Sequence, residues 1–399
     1  MEPMRHIPTA GSALSENREM LFISSHHGVG ASESLWIETA TWLARQGVPV
    51  RAGMTWADRH PERIAPLVAA GAQVQWLQRS SLTQRLQRKL LPGRDLELRA
   101  LQRLSGVGRK TALVLISQGN DHSALPWVEA CQRLGLKAAV VTHGIVPSDW
   151  PNDRFGERLQ KAFLSLAMSF WVSLRNQADF EEQIGVRLPR ARLVWNPIKV
   201  PRTVDVAWPV NMDLWRMACV ARLQTRPKGH DLLLKAMAEP HWRDRPLTLS
   251  FFGTGENSNG LERLAKMLGI SDRVQFHGHV DGVQEVWRDH HLIAQPSRHE
   301  GMPLSLIEAL MCGRPALVTD VAGHAELITE GENGFVAEAA TVRHLDAALQ
   351  RAWDQRSAWQ SMGAAAAVRV RAQAPEDPVV DFAQTLLALA GDKPQKIRS

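Results

Sequence analysis

Between Ser297 and Pro315 the chain reads SRHEGMPLSLIEALMCGRP, which places two carboxylates, a glycine-proline loop and an apolar helical stretch in one short segment. Glu300 falls in a loop ending on Gly301, and Pro303 has the fixed φ that suits a first helical turn. Leu304, Ile307, Leu310 and Met311 recur at helical spacing and are expected to face the core, with Glu308 bordering that stripe. A helix start carries free N–H groups that attract phosphate. A carboxylate beside an apolar stripe needs donors, and two neighbouring ribose hydroxyls would supply them. The segment therefore suits the grip on a sugar nucleotide. The structural alternative is a helix-start Glu300 favoured by the macrodipole and a surface Glu308.

A second segment, VARLQTRPKGHDLLLKAMA from Val220 to Ala238, ends a strand on Arg222 and carries Arg226, Lys228 and Gly229 in a turn before a helix. Arg222 and Lys228 there would stabilise the charge that develops on a departing nucleoside diphosphate, and Gly229 would permit close backbone approach. Otherwise these cations are simply solvated. FFGTGENSNG, with Gly253 at the strand exit, resembles a phosphate- or base-proximal loop, or merely a tight turn. In the first half, SSHHGVGASESLW joins a strand to a helix, and Gly28 and Gly30 would let amides face a diphosphate. His143, in VVTHG, follows a strand at its carboxyl edge, where it would hydrogen-bond a donor sugar or else serve structure.

Metal chemistry has little support. No Asp-x-Asp occurs, the doublets His26–His27 and His290–His291 lack a third ligand at suitable spacing, and HEGMP lacks the second histidine of a zincin helix. Cations and helix dipoles would take the place of a manganese or magnesium clamp. Cys131, Cys219 and Cys312 are odd in number and far apart, as expected of core residues in a reducing compartment.

The elements that must hold these residues read as alternating strands and helices almost from end to end, the pattern of parallel sheets covered by helices. Strands are predicted near Met20, Pro49, Gln73, Ala112, Ala138, Phe170 and Arg192, then near Arg216, Leu247, Val274, Leu292, Ala316 and Gly334. With 399 residues and 44% apolar content the chain suits two doubly wound domains. They are placed at 1–200 and 213–373 with a proline-bearing linker between, and a final helix at 376–390 is expected to pack back on the first. Ligands of such sheets bind beyond the carboxyl ends of the strands, so a cleft between the domains is the expected site. No N-terminal apolar stretch suits a signal peptide and no charge-free run spans a bilayer, which predicts a cytoplasmic protein. The net charge of +6 favours anionic partners. Arg79 to Lys110, rich in Arg and Lys with interspersed leucines, would meet an anionic membrane or form a solvated helical pair over the first sheet.

Taken together, EGMPLSLIEALMCGRPAL, VARLQTRPKGH, FFGTGE, RVQFHGHV and HAELITEGENGFV resemble the retaining GT-B glycosyltransferases of family 4, the group 1 type. The resemblance is specific over Trp215 to Glu338 and looser in VVTHG, WVSLRNQADF and VWNPIKVP. It implies a GT-B fold, two Rossmann-like domains facing across a cleft, the first binding acceptor and the second the nucleotide sugar. It implies that Glu300 contacts the donor sugar, Glu308 the ribose, and Arg222 with Lys228 the diphosphate, with backbone contacts from Gly301, Met302 and Pro303. Family members commonly show adjacent glycines in the first loop, whereas this chain has GVGA. The implied activity is metal-independent hexosyl transfer from a UDP-, GDP- or ADP-sugar to a sugar or lipid-linked hydroxyl, in surface polysaccharide or glycolipid synthesis. No cofactor besides the donor and no nucleic-acid partner are expected. Two other readings keep the fold: a nucleotide-sugar epimerase, and a basic protein that docks lipid or nucleic acid.

Overall fold

The computed structural model of the protein describes residues 18–25, 31–54, 61–77, 96–106, 110–210 and 213–391. The chain divides into two compact units. One gathers the residues up to Val172, Gln177–Pro197 and the stretch from Asp377. The other comprises Ser173–Asn176 and Ile198–Glu376.

The first unit runs β1 (Arg18–Ser24), α1 (Ala31–Arg45), β2 (Val50–Met54), α2 (Pro61–Ala69), β3 (Gln73–Trp76), α3 (Leu96–Ser105), β4 (Lys110–Gln118), α4 (Leu125–Leu134), β5 (Ala138–Thr142), α5 (Asp153–Leu164), β6 (Met168–Trp171), α6 (Leu174–Ile184) and β7 (Ala191–Leu193). All described pairings are parallel, in the order β3-β2-β1-β4-β5-β6-β7. Central strands such as LVLIS and AAVVT are buried on both faces, as a sheet covered on both sides by helices requires. Local chemistry sets the helix ends. Asn152 caps α5 by accepting from the Phe155 amide at 3.1 Å. Gly135 closes α4 in the left-handed conformation at φ 64°, its N–H reaching back to Cys131 and Gln132.

The second unit runs β8 (Trp215–Val220), α7 (Thr225–Lys228), α8 (His230–Met237), β9 (Leu247–Phe252), α9 (Ser258–Met267), β10 (Val274–Gly278), α10 (Val283–Asp289), β11 (Leu292–Gln295), α11 (Leu304–Met311), β12 (Ala316–Thr319), α12 (His324–Leu327), β13 (Gly334–Ala337), α13 (Val342–Asp354) and α14 (Trp359–Gln373). Its six parallel strands are ordered β10-β9-β8-β11-β12-β13. The order reverses between β8 and β11, which pair directly through Leu292 with Met217 and Ile293 with Ala218. At such a switch point the loops leaving two adjacent strands diverge to opposite faces and leave a crevice for ligand. The loop after β8 carries Arg222 and Lys228, and the loop after β11 carries Glu300.

After α14 the chain returns to the first unit as α15 (Pro378–Gly391), which packs on α1. Phe382 meets Phe170 edge to face at 4.9 Å, and the Lys137 ammonium donates to the Leu389 carbonyl at 2.5 Å.

Three sequence expectations change in detail. Pro303 is the residue before α11, with ψ at 87°, rather than part of its first turn. Leu304 is half-buried, while Leu306 to Met311 are buried on every side, Glu308 included. The reason is that α11 is enclosed between the sheet and α14, so no face of it is left for solvent. Of the basic stretch Arg79 to Lys110, residues 79–95 and 107–109 lie outside the described residues, and its described part forms α3, whose Leu101 and Leu104 are buried in the first core.

Candidate functional site

The site is built at the β8 and β11 exits of the second unit. Lys228 ends the single helical turn α7, and its Nζ donates to Glu300 Oε1 at 2.6 Å, with side-chain exposures of 19% and 7%. Ser297 Oγ donates to the same oxygen at 2.7 Å, and Thr319 Oγ1 donates to the Ser297 carbonyl at 2.5 Å. Burial pushes the Glu300 carboxyl up, but the Lys228 charge and the bonds from Lys228 and Ser297 outweigh it and hold it below the ordinary carboxylate range. Glu300 is thus ionised, fixed and paired, which removes the reading of both groups as solvated charges.

Glu308 lies one turn along α11 and is 7% exposed. Burial raises its carboxyl to about 7, opposed by the nearby Lys199 charge and a hydrogen bond from the Lys199 backbone. A carboxylate so buried is not a surface helix residue. It is a buried acceptor that takes a hydrogen bond from the Lys199 backbone, and a carboxylate has lone pairs enough to accept from two vicinal hydroxyls as well.

Glycines let the loops pack closely. At Gly229, φ 66°, an added Cβ would lie 1.9 Å from the Pro296 carbonyl oxygen. At Gly253, φ 134°, it would lie 2.1 Å from the Ala221 carbonyl oxygen. The close backbone approach expected at Gly229 is realised as one loop of the protein packed against another. Gly301 and Met302 are half-buried in the β11 loop and Pro303 is buried; the Gly323 amide donates to the Gly301 carbonyl at 3.4 Å. Arg222 is exposed at the end of β8 and, among the described residues, has no ion-pair partner.

His143 belongs to the first unit. It is buried at the carboxyl end of β5, its amide bonded to the Gln118 carbonyl at 3.2 Å. Gly28 and Gly30 lie outside the described residues. Among the described residues no cluster of three or more His, Cys, Asp or Glu side chains could hold a metal. His290 and His291 are buried and bonded to the backbone of Val286 and Arg216.

Sequence reasoning missed His324. Its ring contacts the Thr319 carbonyl at 3.2 Å and Gln295 Oε1 at 3.1 Å, and the Gln295 amide donates to Ser305 Oγ at 2.5 Å. Burial, aided by the Lys228 charge, lowers it to about 4, so it is neutral at physiological pH. It fastens the β12 exit to the floor of the β11 loop. A lone histidine on a short helix gave no signal of this, because its partners lie on two other strands.

Residues 216–355 match the family model described as Glycosyl transferases group 1. The D-inositol 3-phosphate glycosyltransferase of Rhodococcus jostii is 36% identical over 140 residues, 33% of this chain and 31% of that protein. The chain matches about a third of the length of such curated relatives. Over the whole chain, the crystal structure of Anabaena HepE in complex with UDP aligns with a TM-score of 0.71 at 17% identity, covering 93% of this chain and 98% of that one. The lipopolysaccharide outer core galactosyltransferase WaaB in its apo form aligns with a TM-score of 0.69 at 16% identity, covering 93% and 99%. The chain has the GT-B fold, and its residues 216–355 are similar to the group 1 glycosyl transferase domain.

Proposed function

We propose that the protein is a retaining glycosyltransferase that moves a hexose from a nucleotide-diphosphate sugar to a hydroxyl acceptor without a metal ion. The observation that carries this reading is the convergence of Lys228, paired to Glu300, and the buried Glu308 at one strand switch point. In this scheme Glu308 accepts from the ribose hydroxyls, and Arg222 and Lys228 face the diphosphate. Glu300 accepts from donor-sugar hydroxyls, and Lys228 links it to the diphosphate. The anomeric C–O bond to phosphate breaks, and the acceptor oxygen bonds the same face of the anomeric carbon. Its proton passes to the departing phosphate oxygen. Arg222 and Lys228 stabilise the charge that develops there, an effect strongest in the transition state. Glu300 stays a positioning group throughout, since Lys228 and Ser297 hold its Oε1 and leave Oε2 to accept from the sugar hydroxyls.

The UDP held by HepE and the lipopolysaccharide role of WaaB support a nucleotide-sugar donor and a surface-glycan product. The membrane role of the basic segment 79–110 and a cytoplasmic location belong to the same proposal. Calorimetry with UDP, GDP and ADP, with chelator present, tests it on the wild type and on Glu308→Ala. Micromolar binding of one nucleotide, abolished by the substitution, is the expected result. Absence of binding by all three would defeat the reading.

A further inference from the structure

One turn of helix cannot sustain itself, because nucleation fixes several residues for a single hydrogen bond. Yet α7 must hold Lys228 against Glu300. Its fixings come from outside. The Thr225 amide and hydroxyl both donate to Asn257 Oδ1, at 2.9 and 3.1 Å. At the other end the support is Arg298. Its backbone N–H donates to the Pro227 carbonyl at 2.8 Å, and its Nη1 donates to the Thr225 carbonyl at 2.7 Å. The same guanidinium grips Asp231, in the first turn of α8, through two bonds of 2.8 and 2.9 Å. Arg298 stands in the β11 loop two positions before Glu300, so it ties both members of the Lys228–Glu300 pair to one fork. Burial raises the Asp231 carboxyl, but the bonds and charge of Arg298 override it and keep it ionised.

We propose that Arg298, oriented by Asp231, is a positioning residue that sets the placement of Lys228 relative to Glu300 for the donor diphosphate and sugar. Arg298 itself points into α7 and α8 and has no direct role at the donor. The planar guanidinium serves two carboxylate oxygens and a carbonyl from two separate nitrogens in fixed directions, a geometry that a lysine ammonium, with its three donors on one atom, does not reproduce fully. This proposal rests on the donor-binding reading above, and its test separates the two.

The test compares wild type, Arg298→Gln, Arg298→Lys and Asp231→Asn by three measurements. They are amide hydrogen exchange over 225–231, affinity for whichever of UDP, GDP and ADP binds, and release of that nucleotide from its glucose or mannose conjugate per nucleotide-binding site. For Arg298→Gln the expected results are exchange at least tenfold faster over 225–231 with β8 and β9 unchanged, nucleotide affinity within threefold, and turnover per site down ten- to hundredfold. Arg298→Lys and Asp231→Asn should fall between. Unchanged turnover per binding site in Arg298→Gln overturns the proposal, as does a loss that only tracks the number of binding sites. If the wild type binds no nucleotide, the donor reading fails by itself. The exchange measurement then still decides the clamp, which unaltered exchange would refute.

Discussion

Glu308 carries opposite consequences for stability and binding. Its carboxyl sits at about 7 in the folded protein against an ordinary value of 4.5. A raised carboxyl is protonated equally in both states below pH 4.5. Above that the unfolded chain ionises first, so its contribution to stability falls until the pH passes about 7. Glu308→Gln should therefore be more stable than wild type at pH 8, by about 1–3 kcal/mol, with the difference vanishing near pH 4.5. Urea unfolding at the two pH values measures this. In the proposed donor site the nucleotide hydroxyls donate to the ionised form, so wild-type affinity should rise as pH increases through 7 and then level off, while the glutamine variant binds poorly throughout. Lys228→Met acts differently, since it leaves a buried, ionised Glu300 without its cation. A loss of about 3–5 kcal/mol is expected. Adding Glu300→Gln should restore part of it, and an additive double variant would show the pair is uncoupled.

The loops of the second unit are close-packed backbone, and their glycines are fixed by neighbours as much as by φ. Gly253→Ala would drive a methyl into the Ala221 carbonyl and demand a left-handed alanine. Gly47, at φ 80°, has nothing within 4 Å of an added Cβ. Thermal unfolding should show Gly47→Ala costing about 1 kcal/mol and Gly253→Ala several times more. Equal costs would mean that φ alone matters and that the loop contact is soft. The sequence located Gly253 at a strand exit because an apolar run stops there. It did not reveal the reason for the glycine, because the carbonyl in its way, that of Ala221, belongs to the loop after the neighbouring strand β8.

Two long-range fixings govern the molecule as a whole. Arg314 is 1% exposed and, among the described residues, has no carboxylate partner; its guanidinium donates to the Trp287, His290 and Cys312 carbonyls and to Ala207 in the segment that enters the second unit. Trp208 lies over it, 5.1 Å from ring centroid to guanidinium. Burial lowers its affinity for a proton, to about 10, yet leaves it charged at neutral pH. Arg314→Met should cost about 3 kcal/mol or more, since several buried carbonyls lose their donor at once. In the first unit α15 closes a core begun far earlier in the chain. Phe382→Ala should lower stability by about 3–5 kcal/mol in chemical denaturation, and little change there would mean that α15 is peripheral.

Apolar runs bounded by turns were enough to locate the strands, because a parallel strand buried on both faces must be continuously apolar: LIAQ and ALVT read directly as β11 and β12. The same logic located Glu300, Glu308, Arg222 and Lys228 at strand exits and helix starts, from which their chemistry could be argued. Their meeting could not be read. Lys228 and Glu300 are 72 residues apart, and they touch because β11 enters the sheet beside β8 rather than beside β10, a choice made by packing over the whole sheet. Burial of Glu308 depended likewise on α14, which is absent from any local pattern. Local sequence set which groups were available and on what kind of element; only the tertiary arrangement paired the charges and removed water from them, and so moved their protonation equilibria, Glu300 downward beside Lys228 and Glu308 upward by burial.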